Sequence, residues 1–251
     1  MILYEHPFNE RIRTYLRLEH LFLRLAELMR RDDPIDHHHA LVTIFEIMDV
    51  GARADLKTDV LKDIEKQKHA LGAYRGNPVI SEHVLDDITA QLDGCFASLQ
   101  EMSGKVGQSL TENEWLMSIR SRVGIPGGTC EFDLPAYHAW QHRSAATRQH
   151  DLQRWVSSLV PLAETLGLLL RLVRDSGLPQ KVMAPAGHYQ QMLPQGRTFQ
   201  LLRLYLGAGM TVIPEISCNR LMVSVRFVSQ DDEGRQRTSH EEAVFDLTLC
   251  S

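Results

Sequence analysis

Residues 221–228, Leu-Met-Val-Ser-Val-Arg-Phe-Val, alternate apolar and polar side chains with a period of two. That alternation belongs to a half-buried strand, with Leu221, Val223, Val225 and Phe227 on one face and Met222, Ser224 and Arg226 on the other. Strand-like runs recur at 199–206, 211–218 and 243–249. Pro214 confines its run to a sheet edge or a bulge, because it has no N–H for a second neighbour. Residues 230–235, Gln-Asp-Asp-Glu-Gly-Arg, read as a hairpin loop.

Upstream of about residue 177 the period is helical instead. Asn9 fits the N-cap of a first helix whose apolar positions recur every three or four residues to Met29. Leu18, Leu21, Leu25 and Leu28 make that helix apolar on a second side, so it requires more than one neighbour or a partner chain. Asp36 is expected to cap a second helix through Met48. A third helix covers 56–73, and Ser81 opens a fourth. Thr111 to Glu114 has the pattern of a capping box for a fifth. The longest pattern, 147–176, is expected to kink at Pro161. Pro179, Pro185, Gly187, Pro194 and Gly196 then predict a linker or long loop. The expected fold class is α+β: a mainly α-helical domain at 1–180 and a smaller, mostly antiparallel β-sheet domain at 181–251, with residues 1–6 pairing with the sheet.

Between the helical segments, Ile125-Pro-Gly-Gly makes a tight corner, and the alternation of Cys130 and Phe132 with Glu131 and Asp133 predicts a short strand. Pro135 suits the first position of a helix carrying His138 and Trp140. A phosphate cradle is not indicated, since no Gly-Lys-Ser/Thr follows the glycines.

Composition excludes several classes. The net charge of -5 argues against bulk electrostatic binding to nucleic acid. The cysteines Cys95, Cys130, Cys218 and Cys250 are far apart and lack a Cys-x-x-Cys pair, the usage of a reducing compartment. The N-terminus has no basic segment followed by an apolar run, and the run at 166–173 is short and interrupted by Arg171, so a cytoplasmic location without membrane insertion is expected. Asp36-His37-His38-His39 offers ligand types, but consecutive helical residues diverge and cannot converge on one ion, so neither a metal nor another cofactor is expected. No Gly-x-Ser-x-Gly elbow places a nucleophile.

Charge is unevenly distributed. From 115 to 226 there are twelve Arg/Lys against six Asp/Glu, a segment of +6 that leaves -11 for the remainder. Eleven of those twelve are arginines, the side chain best suited to carboxylate or phosphate recognition. A specific acidic partner is the expectation.

Two blocks then carry a resemblance. Tyr4-Glu-His-Pro-Phe-Asn-Glu-Arg-Ile-Arg-Thr-Tyr-Leu-Arg-Leu-Glu19 and Ile125-Pro-Gly-Gly with Glu131-Phe-Asp-Leu-Pro-Ala-Tyr-His-Ala-Trp140 closely resemble the ZapD family of bacterial division proteins. The likeness continues through Asp36-His37, Asp49-Val50, Gly107-Gln108, Trp155, Pro161-Leu162 and Val225-Arg226-Phe227. It implies a cytoplasmic, non-enzymatic homodimer at the mid-cell division ring. Such a dimer binds the C-terminal tail of the tubulin-like protein FtsZ and bundles its filaments. Residue by residue, the resemblance points to Arg17, Arg120, Arg122, His138, Arg220 and Arg226 for tail binding. Glu114 and Met222 depart from the family pattern at positions where a basic residue is expected. The alternative from a different class is a small-anion or phosphate-ligand enzyme using His138 and the neighbouring arginines.

Overall fold

The structure is a computed structural model that describes residues 1–52 and 55–251. It is α+β and divides into two compact units, one formed by Met1–Tyr15 with Leu170–Ser251 and the other by Leu16–Leu169. The divisions fall inside helices α1 (Glu10–Met29) and α9 (Val160–Asp175).

The unit built from the chain ends holds two antiparallel sheets. The first has the order β1-β4-β8-β2, from Ile2–Pro7 (β1), Leu201–Leu206 (β4), Ala243–Cys250 (β8) and Gln180–Ala184 (β2). The second runs β3-β6-β5, from His188–Met192 (β3), Met222–Gln230 (β6) and Val212–Cys218 (β5), and Gln236–Thr238 (β7) also pairs with β6. Period-two patterning places Leu202, Leu204, Leu206, Phe245 and Leu247 of the first sheet in one core with Val223, Val225 and Phe227 of the second. Phe227 meets Phe245 nearly edge-on at 5.3 Å between ring centroids. Leu221, expected on this core face, lies ahead of β6 and is 62% exposed. Pro214 sits on β5, at the edge of its sheet, as its missing N–H requires. The 231–235 loop joins β6 to β7, with Asp231 accepting from the N–H groups of Glu233 and Arg235.

The segment expected to be a linker or loop instead contains β2 and β3. Both lie at sheet edges, where one face stays wet and Pro/Gly punctuation is tolerated. Gly187 joins them at φ +72°, and a Cβ there would meet the Ser239 carbonyl oxygen at 1.9 Å, so only glycine fits.

Glu5 holds this unit together at its N-terminal edge. It lies directly opposite Arg203 on β4 and accepts from Arg203 Nε at 3.1 Å, and from Arg174 of α9 at 2.9 and 2.7 Å. The carboxylate is 16% exposed and both guanidinium groups 21%, so water competes weakly.

The helical unit is organised around α2 (Pro34–Gly51), which is buried along its length from His37 to Gly51. An apolar stripe this wide marks a central helix. Its cap is Asp33, not Asp36: the Asp33 carboxylate accepts from Ile35 N at 2.7 Å, and Pro34 takes the first helical position. Helices α3 (Leu56–Gly72) and α4 (Glu82–Glu101) pack on each other through Val60, Ile64, Leu85, Leu92 and Leu99. The expected capping box is also displaced. Thr111 closes the short α5 (Gln108–Thr111), and Asn113 caps α6 (Glu114–Arg120) by accepting from Leu116 N at 3.0 Å.

Residues 130–133 form turns and not a strand, with Asp133 N and Leu134 N both bonded to the Cys130 carbonyl. The compact turn leads into α7 (Pro135–Gln141), which opens on its proline as expected. The long pattern at 147–176 is α8 (Ala145–Val156), a 3-10 turn at Ser157–Leu159 and then α9. The break precedes Pro161, which lies in the first turn of α9 where its missing N–H is harmless. The stretch Ala145–Asp175 contains an 18-residue window of mean hydropathy 1.6 and is long and apolar enough to pass for a membrane span by composition. Its leucines at 152, 159, 162, 166, 169 and 170 are nevertheless no more than 3% exposed, the signature of a core-packing helix.

Arg148 of α8 is buried, without a carboxylate partner among the described residues. It donates to His37 Nδ1 at 2.9 Å and to the carbonyls of Gln141, Arg143 and Asp32. His37 Nε2 lies 2.7 Å from the Arg31 carbonyl, which fixes a neutral imidazole with its proton on Nε2. Burial, and then the Arg148 charge, lowers the His37 pKa below its ordinary 6.5. His38 and His6 are lowered too, by burial and by the charges of His39 and Arg13 respectively.

Two predictions follow from these contacts. Glu5→Ala leaves two poorly solvated guanidinium groups facing each other and should cost roughly 3 kcal/mol in urea denaturation, against little for an exposed carboxylate such as Glu82. The second concerns acid. The three histidines take up protons more readily unfolded than folded, so their contribution, complete above pH 6.5, is lost as pH falls from there toward their depressed folded pKa values. Melting temperature should therefore drop between pH 7.5 and 5.5, with a shallower slope in His37→Gln.

Candidate functional site

The first candidate site lies wholly in the unit built from the chain ends. A cleft of about 550 Å³ runs between the 193–198 loop and the turn at 219–221. Its apolar lining includes Leu193 and the aromatic pair Phe8 and Phe199, whose ring centroids are 6.1 Å apart. Arg197 lies over the Phe199 ring at 5.2 Å, and Arg220 stands across from it on the other wall. Among the described residues neither arginine has a carboxylate partner.

Local sequence explains how these groups are held. Asn219 Oδ1 accepts from Leu221 N at 2.8 Å and Met222 N at 3.0 Å, an Asx turn that fixes Arg220 immediately ahead of β6. Leu193 N donates to the Leu221 carbonyl at 2.7 Å and ties the two walls together. The result is an apolar trough with two cationic forks on rigid turns. It suits an extended peptide that carries both carboxylates and apolar side chains.

Arg226 lies on the opposite face of β6 from the core, as the alternation predicts, and is exposed. It is engaged by Glu215, directly across on β5, with Nε 2.9 Å from the carboxylate. His188 is its partner in register on the other side.

The other four expected residues belong to the helical unit. Arg17 is exposed on α1. Arg120, at the end of α6, is bonded to Asp49, and Arg122 reaches Asp133 at 3.5 Å. This second pair ties the end of α6 to the turn that leads into α7. His138 is exposed on α7 and packs its ring on His142 at 4.4 Å. Arg120 thus ends α6, Arg122 follows it and His138 lies on α7, while Arg220 immediately precedes β6 and Arg226 lies on it. Exposed pairs of this kind are worth about 0–1 kcal/mol, so a partner's carboxylates exchange into them at small cost.

Sequence reasoning did not single out Arg197, Phe8 or Phe199. Arg197 was one positive charge among twelve, and Phe8 comes from a segment nearly the whole chain away. The available signal was Phe8 itself, an aromatic residue placed between the N-terminal strand and the Asn9 cap.

A profile for the ZapD family, described as a cell division protein, matches residues 16–226. The match spans Arg17, the α6–α7 corner and β6 through Arg226, and the chain thus belongs to the ZapD family of cell division proteins.

Proposed function

We propose that this chain is a cytoplasmic, non-enzymatic adaptor that binds the C-terminal tail of FtsZ and, as a homodimer, cross-links and bundles FtsZ filaments at the division ring. The observation that carries the reading is the cleft lined by Phe8 and Phe199, in which Arg197 lies over Phe199 and Arg220 is a second lining arginine, both without carboxylate partners among the described residues. Such a trough attracts acidic residues while seating apolar ones. In this reading Arg226 is a further basic contact for the partner on the same unit, and Arg17, Arg120, Arg122 and His138 are basic contacts on the helical unit. His138 is exposed beside His142 and Arg120 is held by Asp49, an arrangement that favours binding over general-base chemistry.

Dimerisation draws its support from α1. Leu23 is 66% exposed and Leu21, Phe22 and Leu28 are only half-buried, whereas Leu18 and Leu25 are buried, so part of the apolar surface of this helix remains uncovered by its own chain. A second copy offers the same apolar stripe and permits a two-fold contact. Two tail sites per particle then join two filaments, and avidity compensates for modest single-site affinity.

Two measurements test this reading. Tail-peptide affinity by calorimetry should fall about tenfold or more in Arg220→Glu, as for a desolvated charge contact. Arg226→Glu should have a smaller effect, because Glu215 already offsets that charge. Affinity should also weaken as ionic strength rises past physiological values, where screening acts within about 8 Å. Unchanged affinity in folded Arg220→Glu together with a flat salt series would remove the electrostatic reading. Leu23→Glu should sediment as a monomer that still binds tail peptide but no longer bundles filaments. A monomeric wild type at micromolar concentration would overturn the dimer.

A further inference from the structure

All three tryptophans of the chain line one cleft of about 430 Å³ inside the helical unit. Trp115 stacks on Trp155 at 5.1 Å and meets Trp140 edge-on at 5.5 Å. Ala136 and Ala139 leave the side along α7 open, since neither projects beyond Cβ. These two residues share a helical face with Trp140, whereas His138 and His142 turn to another face, so the cleft is separate from the His138 surface.

The chemistry of the rim is unbalanced. Asp151 is the one carboxylate lining the cleft among the described residues; it accepts from Trp140 Nε1 at 3.1 Å and Arg154 at 3.0 Å and forms an ion pair with Arg143 at 3.8 Å. Both guanidinium groups are more than half exposed and keep donors to spare. Trp155 is 7% exposed, and its indole N–H is buried without a hydrogen-bond partner among the described residues. A buried donor without an acceptor is an uncommon condition in a folded protein. An aromatic wall, small residues beside it and a net positive rim together define a seat for a peptide. The complement is an aliphatic or proline side chain flanked by an acidic residue.

We propose that this tryptophan cleft seats an apolar side chain of the bound FtsZ tail, with an adjacent tail carboxylate on Arg143 and Arg154; the inference rests on the tail-binding reading and adds an anchor to it. Aromatic stacking supplies the contact area, and the two arginines set the direction of the peptide across α7. Asp151 keeps its bond to Trp140 and holds the pocket's shape while the guanidinium groups turn to the peptide.

Because no tryptophan lies elsewhere in the chain, tryptophan emission, excited selectively over the six tyrosines, reports on this cleft. A tail peptide synthesised without tryptophan is titrated into the full chain, reading fluorescein anisotropy of a labelled copy and tryptophan emission with an unlabelled one. The expected result is one shared midpoint in both signals. Ala139→Leu, which fills the cleft from an exposed position, and Arg154→Glu should each weaken binding tenfold or more, with unchanged circular dichroism, and Arg154→Lys should recover part of the loss. Anisotropy binding with flat emission, or with wild-type affinity in both folded variants, overturns the anchor and leaves tail binding standing. No anisotropy change with the wild-type chain overturns both. With the acidic residues of the tail peptide replaced by their amides one at a time, one replacement should weaken binding to wild type and cost clearly less in Arg154→Glu. Equal loss in both would overturn the assignment of Arg154 to a tail carboxylate.

Discussion

The structure depends first on one carboxylate. Glu5 faces Arg203 across the β1–β4 ladder and takes two further hydrogen bonds from Arg174 at the end of α9. Strand β1 is a sheet edge, and an edge strand six residues long has only one ladder to hold it. The charged contact adds the second constraint, binding the N-terminal segment to both the sheet and the helix that leads into it. Gly177 supports the same junction. A Cβ there would come within 2.6 Å of the Leu249 carbonyl oxygen, so the chain leaving α9 passes against β8 only because that residue is glycine. Phe8 and Asn9 follow directly from β1, and the position of one wall of the Arg197–Arg220 cleft is set by this clamp.

The arginine excess between 115 and 226 takes on a different meaning once each partner is identified. Arg174 and Arg203 are occupied by Glu5, and Arg120 by Asp49, both acids outside that segment. Arg148 is a buried structural cation that replaces carboxylates with carbonyls and a neutral imidazole. The linear count of +6 is correct as arithmetic, yet it overstates the positive surface because acids distant in sequence fold against it. Among those that remain, Arg197 and Arg220 lie at one cleft, and Arg143 and Arg154 share a single acid at another.

This contrast marks how far the sequence was legible. Strands β4, β5, β6 and β8 were readable because one face is buried and the other is not, which imposes the period of two. Strands β2 and β3 were hidden by the prolines and glycines around them and by polar compositions such as His-Tyr-Gln-Gln-Met, whose pairing partners supply the order that local propensity does not. Cap positions slipped by a few residues where two candidate acids compete. Asp33 prevails over Asp36 because Pro34 fits only at the start of a helix. At the sites, the sequence pointed to the arginines on α6, before β6 and on β6 through motif alignment. It did not disclose the clefts, whose walls come from segments joined only by folding: Phe8 with Phe199 and Arg220, or Trp115 with Trp140 and Trp155.

A division of labour among the basic residues follows from burial and backbone. Arginines that support the fold are mostly enclosed and multiply bonded, and exchanging their partners would expose uncompensated charge. Those facing the candidate sites are exposed, weakly paired or unpaired, and carried on backbone that is already fixed. The Asn219 side chain pins the turn that presents Arg220, and the Asn113 cap pins the start of the helix that presents Trp115 and Arg120. Immobilising a long side chain on binding costs about 0.5–1.5 kcal/mol, and ordering a loop as well would add to it. With the backbone set in advance, only side-chain freedom is lost when a peptide arrives. An adaptor that holds two partners at once benefits from that economy twice, since each site need supply only modest affinity for the pair to hold.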